Sequence, residues 1–551
     1  MSIGTVQKST GEDSKKFETV CFHQGDFMQL VAASKCDASV PFAQRRWQQK
    51  KSGKGLRSQP SSKFSATLFP PNVSREEDWN MPPGKTQGVE EYEPKKFVNR
   101  EKELAMIDER VLALRRREFV SQTLVSFWGV ADIGKTWLLK EIEHRYQYDP
   151  TKANALAKPT CALYYDFSEH EQTVTAVLHQ LITTITTNLS QPLLTDERKQ
   201  KANQLIQTEN VKESLEFILS LASDLVLIIL LDTTESVNDE AWQDLEVNLL
   251  EPLLKSNKIL LIGTGRNRVL RWKRVEVRRR ATPIEKSEVS PFDLEATAKQ
   301  LKNLGLSQKL TQELYDDSAG TPGLTTKLSH RNLELSEKRY REARVEEWNA
   351  YVEDIFEHLS QLPASFRQMI TAVAPLRYYR SQALRLMLEK TTDYSDDTSD
   401  VFLLRALRKL DKKSHLVWWD DHHNAYVTAV AARRILNRHL QIENPTRFIE
   451  LHSFALEMYR EWAKEFQTSM PAYFPELLFH EATIYKSQRL EPDNKITVQN
   501  YLNLLDTMSP DNLDILQRRL NKDEELQDLV PKLYKQLLLH LEQLLEGAEA
   551  K

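Results

Sequence analysis

The stretch Thr123-Leu-Val-Ser-Phe-Trp128, followed directly by Gly129-Val-Ala-Asp-Ile-Gly-Lys-Thr136, decides the fold of this chain. An apolar strand that leads into a G-x-x-x-x-G-K-[ST] segment, and then into a helical pattern over residues 137–146, is typical of a phosphate-binding loop. Two glycines at this spacing let the backbone curl so that its N–H groups point inward, and the start of the following helix adds a positive field. The stretch therefore predicts a site for a nucleoside triphosphate.

The residues of the loop have separate predicted roles in that site. Lys135 is expected to reach the β- and γ-phosphates, and the Thr136 hydroxyl is expected to bind Mg²⁺. The other predicted nucleotide contacts come from the loop and from the start of the helix, and they are Gly129, Ile133, Gly134 and Trp137. ATP or ADP with Mg²⁺ is therefore the predicted cofactor.

Two acidic residues after a second apolar strand complete the predicted chemistry. Asp232 directly follows the apolar run 225–231, and a phosphate-loop enzyme needs such an acid for the magnesium shell. Glu235 has the reach to orient or deprotonate a water beside the γ-phosphate, although an acid at this position can also cap a helix. Arg266 follows a further predicted strand and would stabilise a triphosphate more than a diphosphate. The predicted catalytic set is therefore Lys135, Asp232, Glu235 and Arg266.

The order of patterns along the chain predicts its architecture. After residue 96, helical patterns alternate with apolar strands, which indicates a parallel sheet covered by helices on both faces. A hairpin pattern over residues 415–428 follows several helices and indicates a winged helix. We predict an α/β P-loop NTPase fold followed by a helical lid, a winged-helix domain and a C-terminal all-α region. The predicted boundaries are a polar, largely disordered segment 1–95, a nucleotide-binding domain 96–285, a lid 286–345, a winged-helix domain 346–440 and a C-terminal helical domain 441–551.

Composition limits the cellular setting and the partners. The chain of 551 residues has 75 Lys and Arg against 79 Asp and Glu, so its overall charge attracts neither nucleic acid nor an anionic membrane. Cys21, Cys36 and Cys161 have no metal-ligand spacing and fit a reducing compartment. The longest aliphatic run, 225–231, is far shorter than the roughly 20 residues of a membrane span. We predict a cytoplasmic protein without a membrane partner.

A basic cluster trails the fourth predicted strand between Arg268 and Arg280. One interpretation is that these cations bind a nucleic-acid backbone. The alternation of Trp272, Val275 and Val277 favours a second interpretation, an edge strand with one solvated face.

Three motifs outside the phosphate loop point to a family. They are the entry segment Phe97-Val-Asn-Arg-Glu-Lys-Glu-Leu104, the strand-end Arg266 and the G-x-P segment Gly320-Thr321-Pro322. With these motifs and the winged-helix segment, residues 96–460 resemble the bacterial signal-transduction ATPases with numerous domains (STAND). These ATPases are relatives of the NB-ARC switch ATPases of plant immune receptors and apoptosis adaptors.

The resemblance implies further site residues and a function. It implies that Arg100 lines the adenine end of the site and that Pro322 packs from the lid against the adenine. Many relatives lock the ADP-bound state with a winged-helix histidine, and the matching position here is Ala429. The implied function is an ATP/ADP-dependent switch that couples ATP binding and slow hydrolysis to conformational change in defence or stress signalling. Its implied output is binding of protein partners, or homo-oligomerisation, through the C-terminal helical region.

Two other functions stay open. An AAA+ origin-recognition-like DNA-binding ATPase shares the phosphate loop and the winged helix, but it requires a basic recognition helix. Residues of the third winged-helix helix partly meet that requirement, and they are Arg405, Arg408, Lys409, Lys412 and Lys413. Asp411, Asp420 and Asp421 stand beside these cations and the hairpin turn lacks a basic tip, so nucleic acid is not the favoured partner. The remaining alternative is a scaffold that binds nucleotide without hydrolysing it.

Overall fold

The apolar stretches of the first half of the chain form a four-stranded parallel sheet in this computed structural model. The structure describes residues 92–149, 158–191, 193–266, 272–283, 286–306, 310–334, 337–357, 363–391, 398–413 and 416–549, so nearly all of the predicted segment 1–95 lies outside the described residues. The strands are β1 Leu124–Trp128, β2 Thr160–Asp166, β3 Val226–Asp232 and β4 Ile259–Gly265, in the order β1-β4-β3-β2. Every residue of β3 and β4 is buried, as expected for strands covered on both faces.

Residues on either side of the undescribed positions 284–285 pair with the other edge of β1. Parallel bridges join Leu124 to Ala281 and Trp128 to Glu288. The N–H group of Val289 also donates to the Trp128 carbonyl at 2.9 Å. β1 is therefore an inner strand, and the phosphate loop leaves the sheet between two neighbouring strands.

Helices cover both faces of this sheet, which confirms the predicted fold class. Leu104 and Ile107 of α1 and Leu138 of α2 pack on one face, while Leu181 of α3 and Ile218 of α5 pack on the other. The helices of this region are α1 Glu101–Arg115, α2 Lys135–Arg145, α3 Val174–Asn188, α4 Asp196–Ile206, α5 Val211–Leu221, α6 Asp239–Leu245, α7 Glu251–Lys255 and α8 Val275–Arg280. A π-helical turn, Glu246–Leu250, joins α6 to α7.

The predicted edge strand at residues 272–280 is wrong, because this segment contains α8. The backbone N–H groups of Lys273 and Arg274 donate to the carboxylate of Glu246 at 3.0 and 2.6 Å. The buried carboxylate thus satisfies N–H groups just before the helix and fixes where α8 begins.

The second half of the described chain is helical apart from one small sheet. The helices after the nucleotide-binding region are α9 Leu294–Asn303, α10 Thr311–Ser318, α11 Pro322–Glu334, α12 Glu337–Glu357, α13 Ala364–Val373, α14 Ser381–Thr391, α15 Asp400–Lys413 and α16 Val430–Glu443. Strands β5 Tyr378–Tyr379, β6 Val417–Asp420 and β7 Ala425–Thr428 form an antiparallel sheet in the order β5-β7-β6. Three helices followed by a hairpin give the winged-helix arrangement. Helix α12 runs through residues 345 and 346, where the sequence places the boundary between lid and winged helix. The position of that boundary stays a prediction.

A buried ionic cluster joins the winged helix to the C-terminal helices. Arg377 donates to Glu476 at 2.7 Å and to Asp523 at 2.8 Å, and Arg433 donates to Glu525 at 2.6 Å. Burial acts against the charge of Arg377, but the two carboxylates outweigh it and hold the pKa of this guanidinium well above its ordinary value. The C-terminal helices are α17 Pro445–Glu465, α18 Met470–Ser487, α19 Pro492–Lys495, α20 Val498–Asp506, α21 Pro510–Leu520, α22 Glu524–Leu529 and α23 Pro531–Glu549.

Among the helices of the described ranges, none has the length and apolar character that a bilayer span requires.

Candidate functional site

The phosphate loop curls at the end of β1, and the carbonyl groups of residues 131–133 are directed outward to other parts of the chain. Gly134 has a φ of +94° and Asp132 a φ of +57°, which turn the chain sharply before α2. The Asp132 carbonyl accepts a hydrogen bond from the Gly323 N–H at 2.9 Å, and the Ile133 carbonyl accepts one from Arg100 at 2.6 Å. The Tyr351 hydroxyl donates to the Ala131 carbonyl. Because C=O and N–H point in opposite directions across a planar trans peptide, the N–H groups that follow these carbonyls face the inside of the loop. Such a concave set of N–H groups fits an anion.

Lys135 lies inside this curl. Its ammonium group donates to the carbonyls of Gly129 and Val130 at 3.0 and 2.8 Å. Burial lowers its pKa to about 8, and Arg266 acts in the same direction, while Glu235 and Asp232 oppose the shift. The structure therefore brings all four predicted catalytic residues into electrostatic range of one another.

Asp232 is held rigidly at the carboxyl end of β3. Its side chain is 2% exposed and accepts hydrogen bonds from Tyr164 at 2.9 Å and from the Thr264 hydroxyl. β4 lies between β1 and β3, so Asp232 faces the site across an intervening strand. Tyr164 and Thr264 position this acid, although neither carried a local sequence signal beyond its place in an apolar strand.

Glu235 pairs with Arg266 beside the end of β4. Glu235 lies in the 3-10 turn Thr234–Ser236, and its Oε1 is 3.4 Å from Arg266 Nε. Its Oε2 is buried and has no hydrogen-bond partner among the described residues. The helix-cap alternative does not hold, because Asn238 caps α6. A buried carboxylate oxygen without a partner suits a group that binds water or accepts a proton.

Arg100 braces the loop from the other side. It is buried, donates to the Ser290 carbonyl at 2.6 Å, and lies 4.7 Å from the ring centroid of Phe292. The Phe292 N–H donates to the Gly320 carbonyl at 2.7 Å, and Pro322, two residues later, begins α11. The entry segment that contains Arg100 and the G-x-P segment thus meet around Phe292. Their contacts with adenine stay predictions.

The structure describes the surroundings of three other predicted positions, whose roles at the nucleotide stay predictions. Thr136 and Trp137 are half-buried in the first turn of α2, and the Trp137 ring contacts Tyr92 at 5.4 Å. Ala429 is buried at the start of α16, and its backbone N–H donates to the Leu416 carbonyl. Its methyl group cannot replace the hydrogen bond of a histidine.

The lid and the winged helix both contact the loop region. Lys327 of α11 pairs with Asp132 at 2.5 Å. The indole ring of Trp128, the last residue of β1, packs edge to face on Trp418 of β6 at 5.0 Å. Both modules therefore contact the loop strand or the loop directly.

No protein-family model matches the sequence, and no curated protein matches it. Solved structures resemble the chain at low identity. A Walker-type ATPase of Pyrococcus abyssi is 16% identical, with a TM-score of 0.41 over 62% of this chain and 97% of its own. Cdc6p of Pyrobaculum aerophilum is 13% identical, with a TM-score of 0.29 over 63% and 96% of the two chains. The ORC1 protein of Aeropyrum pernix, solved in complex with DNA, is 17% identical, with a TM-score of 0.31 over 65% and 95%.

Identities and TM-scores this low do not show that the proteins share an activity or partners. None of these three proteins is named as a signal-transduction ATPase of the family that the motifs resemble, so that subtype stays a prediction. The origin-recognition-like alternative is the one that the names of the second and third structures match.

Proposed function

We propose that this protein is an ATP-dependent switch that binds and slowly hydrolyses a nucleoside triphosphate at the phosphate loop. The proposal rests on three loop carbonyls, each of which accepts a hydrogen bond from a different part of the chain. Arg100 holds one carbonyl, while the lid and α12 hold two others through Gly323 and Tyr351. A ligand that reorients the loop peptides changes all three contacts together.

The residues of the site support hydrolysis as well as binding. Thr136 and Asp232 would hold Mg²⁺, which supplies charge neutralisation to phosphate oxygens when it is bound. Lys135 would exchange its two loop carbonyls for phosphate oxygens. Glu235 has a free buried oxygen that can orient or deprotonate the attacking water, and Arg266 supplies a cation beside it.

The energy of such contacts is sufficient for switching. A hydrogen bond to a charged group contributes about 1.5–3 kcal/mol. Two or three that form only with the triphosphate reach the roughly 5.5 kcal/mol needed to convert a two-state equilibrium from mostly closed to mostly open. Output by partner binding or oligomerisation, as the family resemblance implies, would follow from this rearrangement.

ATP binding and phosphate release in wild type, Lys135→Ala and Glu235→Gln test the proposal. We expect Lys135→Ala to weaken ATP binding by about 10- to 100-fold, because one charged hydrogen-bond donor is lost. Glu235→Gln should bind ATP normally and hydrolyse it about 10²- to 10⁴-fold more slowly. Lys299→Ala, on the exposed side of α9, is the matched control. Tight ATP binding by Lys135→Ala contradicts the site, and binding without phosphate release in wild type favours the scaffold alternative.

A second candidate function is duplex DNA binding through the winged helix. Arg405, Arg408 and Lys409 are exposed on α15, the third helix of the module. In the acidic hairpin turn, Asp420 accepts from the His422 N–H at 2.9 Å and contacts His423 Nδ1 at 2.6 Å, so its oxygens bond within the turn while its negative charge remains.

Salt-dependent titration with duplex DNA separates this candidate from the switch alone. If α15 binds phosphates, replacing these three cations by Gln should change the salt dependence of binding. The slope of the logarithm of the binding constant against the logarithm of the salt concentration should become less steep by about 3. An unchanged slope, or no measurable duplex binding by wild type, excludes the winged helix as a DNA-binding module.

A further inference from the structure

A basic surface lies at the edge of the parallel sheet opposite the phosphate loop. It combines the end of α1, the residues before β2 and β4, and helix α8. We call it the basic edge surface, and its cations are Arg115, Arg116, Arg117, Lys158, Lys258, Arg278, Arg279 and Arg280. The amino ends of parallel strands lie together at one edge, and a strand of five to seven residues spans roughly 20 Å. The surface is therefore separate from the nucleotide site.

Direct contacts join these cations into one surface. Arg115 donates to the Lys158 carbonyl at 2.9 Å. Arg280 donates to the side-chain carbonyl of Asn257, which directly precedes Lys258, at 2.9 Å. Burial lowers the pKa of Lys158, and the positive charges of Arg117 and Lys258 lower it further. Like charges from three separate elements therefore crowd together here.

The carboxylates nearby compensate this charge only in part, since the exposed Glu118 forms no ion pair among the described residues and Asp224 only opposes the lowering of the Lys158 pKa. Asp224 pairs with Arg198 at 2.8 Å, and Glu276 pairs with Arg279 at 3.4 Å. In the part of the chain that the structure describes, no ion pair involves Arg116, Arg117, Lys158, Lys258, Arg278 or Arg280. A cluster in which the cations outnumber the nearby carboxylates attracts a polyanion despite the net negative charge of the whole chain.

An exposed aromatic ring identifies the kind of polyanion. Phe119 is 72% exposed, and the guanidinium of Arg280 lies 5.4 Å from its ring centroid. Aromatic rings among arginines bind single strands, because unpaired bases stack on the ring while the cations contact phosphates. A duplex hides its base faces inside the helix, and an anionic bilayer needs a larger apolar surface than one ring provides.

We propose that the basic edge surface binds single-stranded nucleic acid. Phe119 stacks on a base, and the exposed cations around it, with Arg116, Arg117 and Arg278 foremost, contact the flanking phosphates. This binding does not depend on the nucleotide site or on α15.

Fluorescence anisotropy with labelled oligothymidylate and oligouridylate of roughly 20 nucleotides, titrated over a range of salt concentrations, tests the proposal. Replacing Arg116, Arg117 and Arg278 together by Gln should make the salt slope less steep by about 2, since each phosphate contact contributes about 0.7 in single strands. Phe119→Ala should weaken binding at least about fivefold and leave the slope unchanged, because stacking releases no counterions. These side chains are exposed, and a melting curve verifies that the variants fold.

Two controls separate this surface from the other proposed sites. Lys135→Ala, and the Gln variant of the three exposed α15 cations, should bind single strands like wild type. A preference for the ribose or the deoxyribose oligomer identifies the natural source, and either supports the proposal. Two results overturn it directly: no single-strand binding by wild type, or wild-type affinity in Phe119→Ala. A third does so as well: wild type binds a duplex or phosphatidylserine vesicles more tightly than single strands, and the triple variant loses that tighter binding.

Discussion

Replacing Gly265 by Ala tests the position of Glu235 without changing its chemistry. A Cβ atom at residue 265 would lie 2.4 Å from the Thr234 hydroxyl and 3.1 Å from Glu235 Oε2. Non-bonded heavy atoms normally lie about 3.5–4.0 Å apart, so the 3-10 turn must move by roughly 1 Å. A displacement of this size at a reacting group costs about 10²-fold in rate. We expect hydrolysis to fall by about that factor while ATP affinity stays close to wild type, because the atoms nearest the new Cβ belong to the 3-10 turn and not to the phosphate loop.

Single-turnover phosphate release at saturating ATP measures this effect, and binding of a fluorescent nucleotide measures the affinity. Gly547→Ala is the matched control, since a Cβ atom there meets nothing within 4 Å. A wild-type rate of hydrolysis in Gly265→Ala would refute the reasoning, because the carboxylate would then act equally well from a different place.

Three further predictions follow from the site and from the ionic cluster. The pKa of Lys135 is about 8 in the free protein and rises when a triphosphate binds, so binding takes up a proton above pH 8. ATP affinity should therefore fall about tenfold per pH unit as the pH rises above 8, and calorimetry should find this dependence absent in Lys135→Ala. Tyr351→Phe removes a hydrogen bond to the loop, so amide exchange over residues 129–134 should accelerate about 2- to 10-fold, and unchanged exchange would contradict the contact. Arg377→Met leaves buried carboxylates unpaired and should lower the free energy of unfolding by about 3–5 kcal/mol in urea, whereas Arg518→Met, at an exposed pair, should change it by less than about 1 kcal/mol.

The residues of the phosphate site could be predicted because their signals are local. The loop glycines and Lys135 lie within eight consecutive residues. The uninterrupted apolar run before Asp232 indicates a strand buried on both faces, and β3 has this environment. Strand order has no comparable local signal, so the sequence did not reveal that β4 separates the loop strand from Asp232.

Contacts between distant parts of the chain explain what the sequence did not predict. Helix α8 begins where the buried carboxylate of Glu246 accepts two backbone N–H groups, and nothing near residue 274 announces that partner. Likewise, Arg377 is 99 residues from Glu476 and 146 residues from Asp523. The placement of Tyr164 beside Asp232 depends in the same way on the pairing of β2 with β3.

The buried ionic cluster means that the last helices cannot be treated as a removable appendage. Among the described residues, the carboxylates that pair with Arg377 and Arg433 all lie after Glu465, so a deletion there would remove these counter-charges together with helices that pack against the two guanidinium groups. We therefore expect the winged module and the tail to unfold together in a single transition.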